Sequence, residues 1–257
     1  MTSLLPTEFN KLLRLSSLRF SLILLTLFPI LWAYSPGVFD VYGYFVVSGF
    51  QVPALSLNSS MQFLLPLLVA IASAELLGLE ITFGTLPTVL LRPVTRSQWL
   101  LAKLLVAALY PFMLLTFFFA VSLLAGAPLG FGEFIGGTGV GAGGLLGEGT
   151  MLPGTAFQEL LRAYAIAGCS LVPISMLAVL FTVLFMNAAA GALATLSVLI
   201  VMGLLIVFPG LQPYLLTSQL SAYLMPVAGT GWTLALIALY CAIFAAIAVV
   251  IFERKDF

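Results

Sequence analysis

Charged residues are scarce in this chain, and histidine is absent altogether. Lys, Arg, Asp and Glu make up 7% of the 257 residues, whereas the residues AVILMFWYC make up 62%. Soluble globular proteins carry roughly 25% charged residues, so water cannot surround this surface on all sides. The lack of histidine removes the commonest metal ligand and general base. The composition excludes an ordinary soluble domain and indicates an integral membrane protein.

Motifs that bind nucleotides or activate a nucleophile are also missing. Neither the phosphate loop G-x-x-x-x-G-K-[ST] nor the nucleophile elbow G-x-S-x-G occurs in the sequence. Gly139, Gly141 and Gly144 match the dinucleotide-binding pattern only formally, because no strand–helix unit is expected around them. The two cysteines, Cys169 and Cys241, have neither paired nor metal-ligand spacing. We predict no catalytic residue, metal site or cofactor on this chain, and no nucleic-acid partner.

Six apolar runs are each long enough to cross a bilayer, which takes about 20 helical residues. Helices are expected because a lipid-exposed backbone must satisfy its own hydrogen bonds. The first run lacks a small-residue cleavage site, so we interpret it as a retained span and not as a cleaved signal. The fourth and fifth runs form either a tight helical hairpin or one long broken helix. The predicted spans are Leu18–Tyr34, Met61–Leu79, Trp99–Ala125, Ala163–Met186, Ala188–Phe208 and Trp232–Phe252.

Positive charges predict the orientation of these spans. Of the nine Lys and Arg residues, only Arg162 falls on the side opposite to the others. The N-terminus, the 80–98 loop and the C-terminus are therefore predicted to be cytoplasmic in a multi-pass protein of the cell (plasma) membrane. On the outer side, 127–159 is expected to be a flexible Gly-rich loop, with room for a short amphipathic piece near Phe157–Leu161. A mildly apolar stretch from Val41 to Leu57 is expected to lie at the membrane interface.

The loop between the second and third spans holds the most informative polar residues. Gly84 permits a sharp turn, and Thr85 is placed to cap a short helix that Pro93 would end. Thr95 or Ser97 is placed to cap the helix of the next span. A soluble partner that moves such a short helix would move both spans. The alternative is an ordinary loop whose arginines only set the topology.

This loop resembles the hallmark of type 2 ABC-transporter permeases. It reads EITFGTLPTVLLRPVTR from Glu80 to Arg96 and is followed seven residues later by Lys103. The amphipathic segment 1–17, the six spans and the closing FERKD agree with such permeases, whereas the long 127–159 loop departs from their usual short connection. The matching residues are Glu80, Gly84, Thr85, Leu90, Leu91, Arg92, Pro93, Val94, Thr95, Arg96 and Lys103.

The resemblance implies a fold and a set of partners. The fold would be an all-α membrane protein: one permease domain, 1–257, with six transmembrane helices, an N-terminal amphipathic interfacial helix and a short cytoplasmic coupling helix in the 80–98 loop. The chain would have no enzyme activity, because ATP and Mg would bind a separately encoded ATP-binding subunit. Two permease chains, as a homodimer or a heterodimer with a related chain, would form an export pathway.

The resemblance also assigns roles to individual residues. Glu80, Arg92 and Arg96 would make polar contacts within or across the joint with the ATP-binding subunit, and Gly84 and Pro93 would shape it. The predicted coupling residues are Glu80, Gly84, Thr85, Leu90, Leu91, Arg92, Pro93, Thr95 and Arg96. We predict that Lys103 snorkels to the lipid headgroups. Together with it, Lys11 and Arg14 would anchor the protein at the membrane interface.

Two other classes of function stay open. An intramembrane enzyme or a membrane assembly factor would rely on Glu75 and Glu80 as paired acids. Five residues apart on a helix, these side chains point about 140° away from each other. An ion-coupled carrier would need ionisable groups inside the spans, and by sequence only Glu75 approaches a span interior.

Overall fold

Long apolar helices make up most of the structure. The computed structural model describes residues 4–34, 46, 48–84, 95–135, 150–224 and 230–255. Within these ranges, six helices are long and apolar enough to cross a membrane. The prediction of an all-α, multi-pass membrane protein with six spans is therefore confirmed.

The described elements are numbered here in chain order. The six membrane-crossing helices are α2, α4, α5, α6, α7 and α9. Short 3₁₀ turns occupy Ala127–Leu129, Gln212–Tyr214 and Ala222–Leu224, and strand β1 (Phe134–Ile135) pairs antiparallel with β2 (Thr150–Met151). The helices are α1 Leu4–Leu13, α2 Ser16–Tyr34, α3 Gln51–Met61, α4 Leu64–Thr82, α5 Arg96–Gly126, α6 Pro153–Phe185, α7 Ala188–Leu205, α8 Leu216–Gln219 and α9 Thr230–Arg254.

Helix α6 lies at the centre of the bundle and packs against α4, α5, α7 and α9. It begins at Pro153, where a proline is tolerated because the first helical N–H groups have no partner in the helix. The predicted start of the fourth span at Ala163 is therefore too late, since residues 153–159 of the expected outer loop and the piece near Phe157–Leu161 belong to this helix. Hydropathy hid this extra length because Glu159 and Arg162 are charged. They form an ion pair one turn apart, at 2.9 Å, on the helix itself.

The connection between α6 and α7 is a tight turn. Met186 adopts a left-handed conformation (φ 52°), which ends α6. The side-chain oxygen of Asn187 then accepts a hydrogen bond from the backbone N–H of Ala190 at 3.0 Å and caps α7. Of the two arrangements left open by the sequence, the helical hairpin is the observed one.

Helix α3 is packed inside the protein and not on its surface. All residues from Gln51 to Leu57 are buried, against α2, α5 and other helices. Tyr164 donates a hydrogen bond to the Pro53 carbonyl at 3.0 Å, and Trp32 donates one to Ser59 at 2.9 Å. This part of the Val41–Leu57 stretch, expected at the membrane interface, is thus covered by neighbouring helices and does not lie on the surface of the bundle. Its weak amphipathic pattern arises because neighbouring helices surround it.

The bundle has two distinct ends. The charged end, as we name it, consists of α1, the C-terminal ends of α4, α6 and α9, and the N-terminal ends of α5 and α7. The far end consists of α3, the β1–β2 ribbon and the segment 206–224. The charged end contains the described part of the predicted coupling loop, so it positions the candidate site.

Candidate functional site

Lys103 lies inside the protein at the charged end, although it belongs to a membrane-crossing helix. Its side chain is completely buried, two turns into α5. The prediction that Lys103 snorkels to the lipid headgroups is therefore wrong. The physical reason is that the folded chain supplies anionic partners close by, so the ammonium group gains more from them than from the membrane surface.

Three acceptors surround the Lys103 ammonium group. The nitrogen Nζ donates to Glu8 Oε2 at 2.8 Å and to the backbone oxygen of Leu76 at 2.6 Å, and it lies 3.1 Å from Glu80 Oε1. An ammonium group has three N–H donors, so each acceptor matches one donor. Lys103 thus joins α5 to both α1 and α4.

Lys11 completes a cluster of two acids and two bases. Its Nζ donates to Glu8 Oε1 at 2.7 Å and to Glu80 Oε1 at 2.6 Å. Both carboxylates are buried, whereas Lys11 is about half exposed, with 48% of its side chain accessible. We call Glu8, Lys11, Glu80 and Lys103 the ion-pair cluster. Its formal charges cancel, which lowers the cost of holding ionised groups away from water.

The cluster shifts the pKa values of its α1 members. Burial alone would raise the pKa of Glu8, but the charge of Lys103 and the hydrogen bonds from Lys103 and Lys11 outweigh it and hold that pKa below its ordinary value. Burial alone would lower the pKa of Lys11, but its hydrogen bonds to Glu8 and Glu80 and their charges raise it overall. Glu8 and Lys11 are therefore held in their ionised forms at neutral pH.

An aromatic pair extends the cluster towards the last helix. The Lys103 nitrogen lies 4.9 Å from the ring centroid of Trp99, within the range of a cation–π contact. Trp99 in turn stacks on Phe252 of α9, with ring centroids 5.4 Å apart. Four helices (α1, α4, α5 and α9) are therefore connected through the surroundings of one buried lysine.

The described residues of the predicted coupling loop belong to the end of α4 and the start of α5. Gly84 follows α4 with φ +62°, a left-handed conformation that glycine adopts without the strain of other residues. Thr95 accepts a hydrogen bond from the Gln98 N–H at 3.3 Å and caps α5, as predicted. The coupling helix itself, with Thr85, Leu90, Leu91, Arg92, Pro93 and Val94, lies outside the described residues.

Arg96 takes part in a second set of contacts, between helix termini. Its guanidinium donates to the backbone oxygen of Lys255 at 2.8 Å. The Lys255 ammonium donates to the carbonyls of Val183 and Leu184, at 2.7 and 2.8 Å, at the end of α6. Those carbonyls have no partner within their own helix, and a cation there also interacts favourably with the helix dipole. The three termini of α5, α6 and α9 are thus held together.

A groove lies beside the ion-pair cluster, between α1 and the end of α4. Its volume is about 260 Å³, and its lining combines apolar and charged side chains. Arg14 and Glu75 line the groove. The side chains of Lys11 and Glu80, which belong to the ion-pair cluster, also line it. The Arg14 side chain is exposed, and a residue that contacts lipid headgroups or a partner protein has to be exposed. Leu15, Leu76, Leu79 and Phe83 complete the lining.

Sequence reasoning missed two of the residues that build this end. Glu8 carries a weak signal, because it stands four residues before buried Leu12 and so lies on the inward face of α1. Lys255 carried no signal in the sequence beyond its positive charge, because its acceptors are 71 and 72 residues away in the chain. Among the residues that the structure describes, no group of three or more His, Cys, Asp or Glu side chains is placed to hold a metal ion.

Comparison with known proteins places the chain in a family without assigning a function to it. No curated protein matches the sequence. A family model described as "Protein of unknown function (DUF2705)" matches residues 22–257, which include all six membrane-crossing helices apart from the first turns of α2. The chain therefore belongs to the DUF2705 family.

Proposed function

We propose that this protein is the membrane-spanning permease subunit of an ATP-driven transporter of the type 2 ABC class. The observation that carries the proposal is the ion-pair cluster, because it joins the two residues that flank the loop motif. Glu80 precedes the loop and Lys103 follows it, and their side chains lie 3.1 Å apart. A force applied to the loop would therefore act on α4 and α5 together.

Helix α1 belongs to the same mechanical unit. Glu8 and Lys11 connect it to Lys103 and Glu80 at 2.6–2.8 Å. A separately encoded ATP-binding subunit that contacts both the loop and α1 would bind a surface formed by α1, α4 and α5, which the ion-pair cluster already connects. ATP and Mg would bind on that subunit, and closure of two such subunits would displace the loops of two permease chains.

The remaining parts of the proposal follow from the charge distribution and the resemblance. The charged end faces the cytoplasm of the cell membrane, where the positive-inside rule places lysine and arginine. The permease pairs with a second copy or a related chain, and it exports its substrate. The groove that Arg14, Glu75 and Phe83 line beside α1 is the surface on which the ATP-binding subunit docks.

The test is to express the chain together with a P-loop protein from a neighbouring gene. The two should co-purify, and the reconstituted pair should show ATPase activity that depends on the permease. Arg14→Glu, in the groove, should weaken co-purification, and Arg96→Ala and Gly84→Val should uncouple ATPase activity from transport. Arg162→Ala is the matched control, because Arg162 lies on α6 away from the charged end and pairs with Glu159.

Three results would contradict the proposal. The first is that no P-loop protein co-purifies with the wild-type chain. The second is that the loop variants leave coupled activity unchanged. The third is transport that follows an ion gradient without nucleotide, which would identify an ion-coupled carrier instead. Activity without any nucleotide that is lost on replacing Glu75 or Glu80 singly would favour an intramembrane enzyme.

A further inference from the structure

A cavity of about 380 Å³ lies at the far end of the bundle, away from the charged end. It is formed between the end of α3, the start of α4, the second half of α7 and residues of the segment 206–224 that follows α7. Cavities that bind small molecules have volumes of about 300–1,000 Å³. Its size is therefore sufficient for a ligand larger than a few waters.

The lining of the cavity is apolar along α7 and polar at the far end. Leu196, Leu199, Ile200 and Gly203 form the apolar side. They follow α7 over roughly 10 Å, at 1.5 Å per residue. The polar groups come from Asn58, Gln62, Thr217, Ser221 and Tyr223. None of the described lining residues is Asp, Glu, Lys or Arg.

Two of the polar groups are arranged to meet a ligand. The Tyr223 hydroxyl donates to the Asn58 side-chain oxygen at 3.0 Å, which orients that amide and leaves its NH₂ group as a donor. The Thr217 hydroxyl oxygen is buried, and it has no hydrogen-bond partner among the described residues. Buried polar atoms in proteins nearly always have a partner. The oxygen has almost no accessible surface in this arrangement, so a hydroxyl group on a ligand would supply a partner once the Thr217 side chain rotates towards the cavity.

The cavity is open to the outer surface of the helix bundle. Phe63 and Ile200 both line it and are 61% and 60% exposed. Phe63 immediately precedes the membrane-crossing helix α4 and Ile200 belongs to the membrane-crossing helix α7, so a ligand in the bilayer would reach the cavity from this side. A charged headgroup would lose its hydration without a counter-charge, which is costly.

From these features we infer that the cavity binds an uncharged amphiphile from the bilayer, with a hydroxyl-bearing head against Asn58 and Thr217 and an apolar chain along α7. The site differs from the proposed coupling site in position and in chemistry. The inference does not depend on ATP-driven transport, because it concerns binding alone. A resident lipid and a transported substrate would share this chemistry. The two are distinguished by whether the ligand is released when ATP is added.

The probe is a monoacylglycerol with a diazirine in its chain, added to the full chain in phosphatidylcholine vesicles. After photolysis, mass spectrometry should find labelled peptides from α7 and from 217–224. Unlabelled monoacylglycerol should compete, and the fatty acid with the same chain should compete at least about tenfold more weakly because its carboxylate has no counter-charge. If the monoacylglycerol is released when the ATP-binding subunit and ATP are added, it is a transported substrate. If it is retained, it is a resident lipid.

Two variants test the location of the site. Gly203→Leu adds a side chain to the lining of the cavity at a position where a Cβ meets no atom within 4 Å, so the substitution has room at its first atom. We expect labelling of the cavity peptides to fall about tenfold. Gly231→Leu is the matched control on α9, where a Cβ also meets nothing within 4 Å. Thr217→Val, which keeps the shape and removes the hydroxyl, should weaken labelling about fivefold.

Two outcomes would overturn the inference. One is labelling spread evenly over the exposed faces of α7 and α9 and unchanged by Gly203→Leu and Thr217→Val, since this describes annular lipid. The other is a disulfide between two copies of a Gly203→Cys variant in the membrane, because a second copy would then cover the cavity.

Discussion

The ammonium group of Lys103 lies 2.8 Å from a carboxylate oxygen of Glu8, although 95 residues separate the two in the chain. Both side chains are buried, with exposed fractions of 0% and 2%. Removing one partner of such a pair leaves the other charge buried without compensation, which is more costly than losing the attraction itself. The pair therefore makes the attachment of α1 to the bundle sensitive to single substitutions.

Lys103→Met should destabilise the protein by about 3–5 kcal/mol, the range measured when one partner of a buried ion pair is removed. Lys11→Met should cost about 1 kcal/mol, because Lys11 is half exposed and water replaces part of its interaction. Thermal unfolding in detergent would measure both values. The double variant Glu8→Gln, Lys103→Met should be more stable than Lys103→Met alone. Equal stability would show that Glu8 is not paired with Lys103.

The stability of the folded protein should depend on pH in acid and in alkaline solution, and it should change little at the pH values between them. The pKa of Glu8 is lowered from 4.5, so its contribution is present above about pH 4.5 and is lost as the pH falls through the lowered value. The pKa of Lys11 is raised from 10.5, so its contribution is present below that pH and is lost as the pH rises through the raised value. The unfolding temperature measured against pH should show this plateau.

The variant Glu8→Gln assigns the acid side of that profile. It should lower the plateau and remove part of the acid dependence, because glutamine does not titrate. An acid limb of the same size in Glu8→Gln and in the wild type would contradict the assignment.

Gly191→Val should separate α6 from α7. A Cβ on Gly191 would lie 2.8 Å from the backbone nitrogen of Thr182, and a backbone atom cannot move aside as the end of a side chain can. Overpacking of this kind costs about 1–3 kcal/mol, and unfolding in detergent would measure it. Gly231→Val, at an unobstructed position, should cost less. Similar losses in both variants would mean that helix propensity and not close packing decides the effect.

Lys255→Met should loosen the end of α6. The variant loses the hydrogen bonds to the carbonyls of Val183 and Leu184 and the interaction with the helix dipole. Because the side chain is partly exposed, we expect a cost of only about 0.5–1 kcal/mol. Hydrogen exchange of the last turn of α6 should report faster opening. Arg254→Met is the control: it is exposed, and exchange there should not change.

Some local features of the charged end were predictable from the sequence. The cap at Thr95 and the turn at Gly84 depend on neighbouring residues only, and both predictions are confirmed. The functions assigned to Glu80 and Arg96 by resemblance to permeases stay predictions. The sequence did not predict the acceptor of Arg96 or the contact of Lys103 with Glu8, because these partners are 159 and 95 residues away. The start of α6 was missed because charged residues on a helix lower the hydropathy on which span boundaries depend.

The sequence by itself determined that the chain crosses a membrane with six apolar helices and that its positive charges gather at one side. Both properties follow from composition along short windows of the chain, where each helix must satisfy its own backbone hydrogen bonds in lipid. Only the tertiary structure decided that Lys103 is buried against Glu8, that α3 lies inside the bundle and that a cavity opens beside Gly203. These features depend on which helix faces lie together, and a sequence this uniformly apolar carries little periodicity to specify those faces.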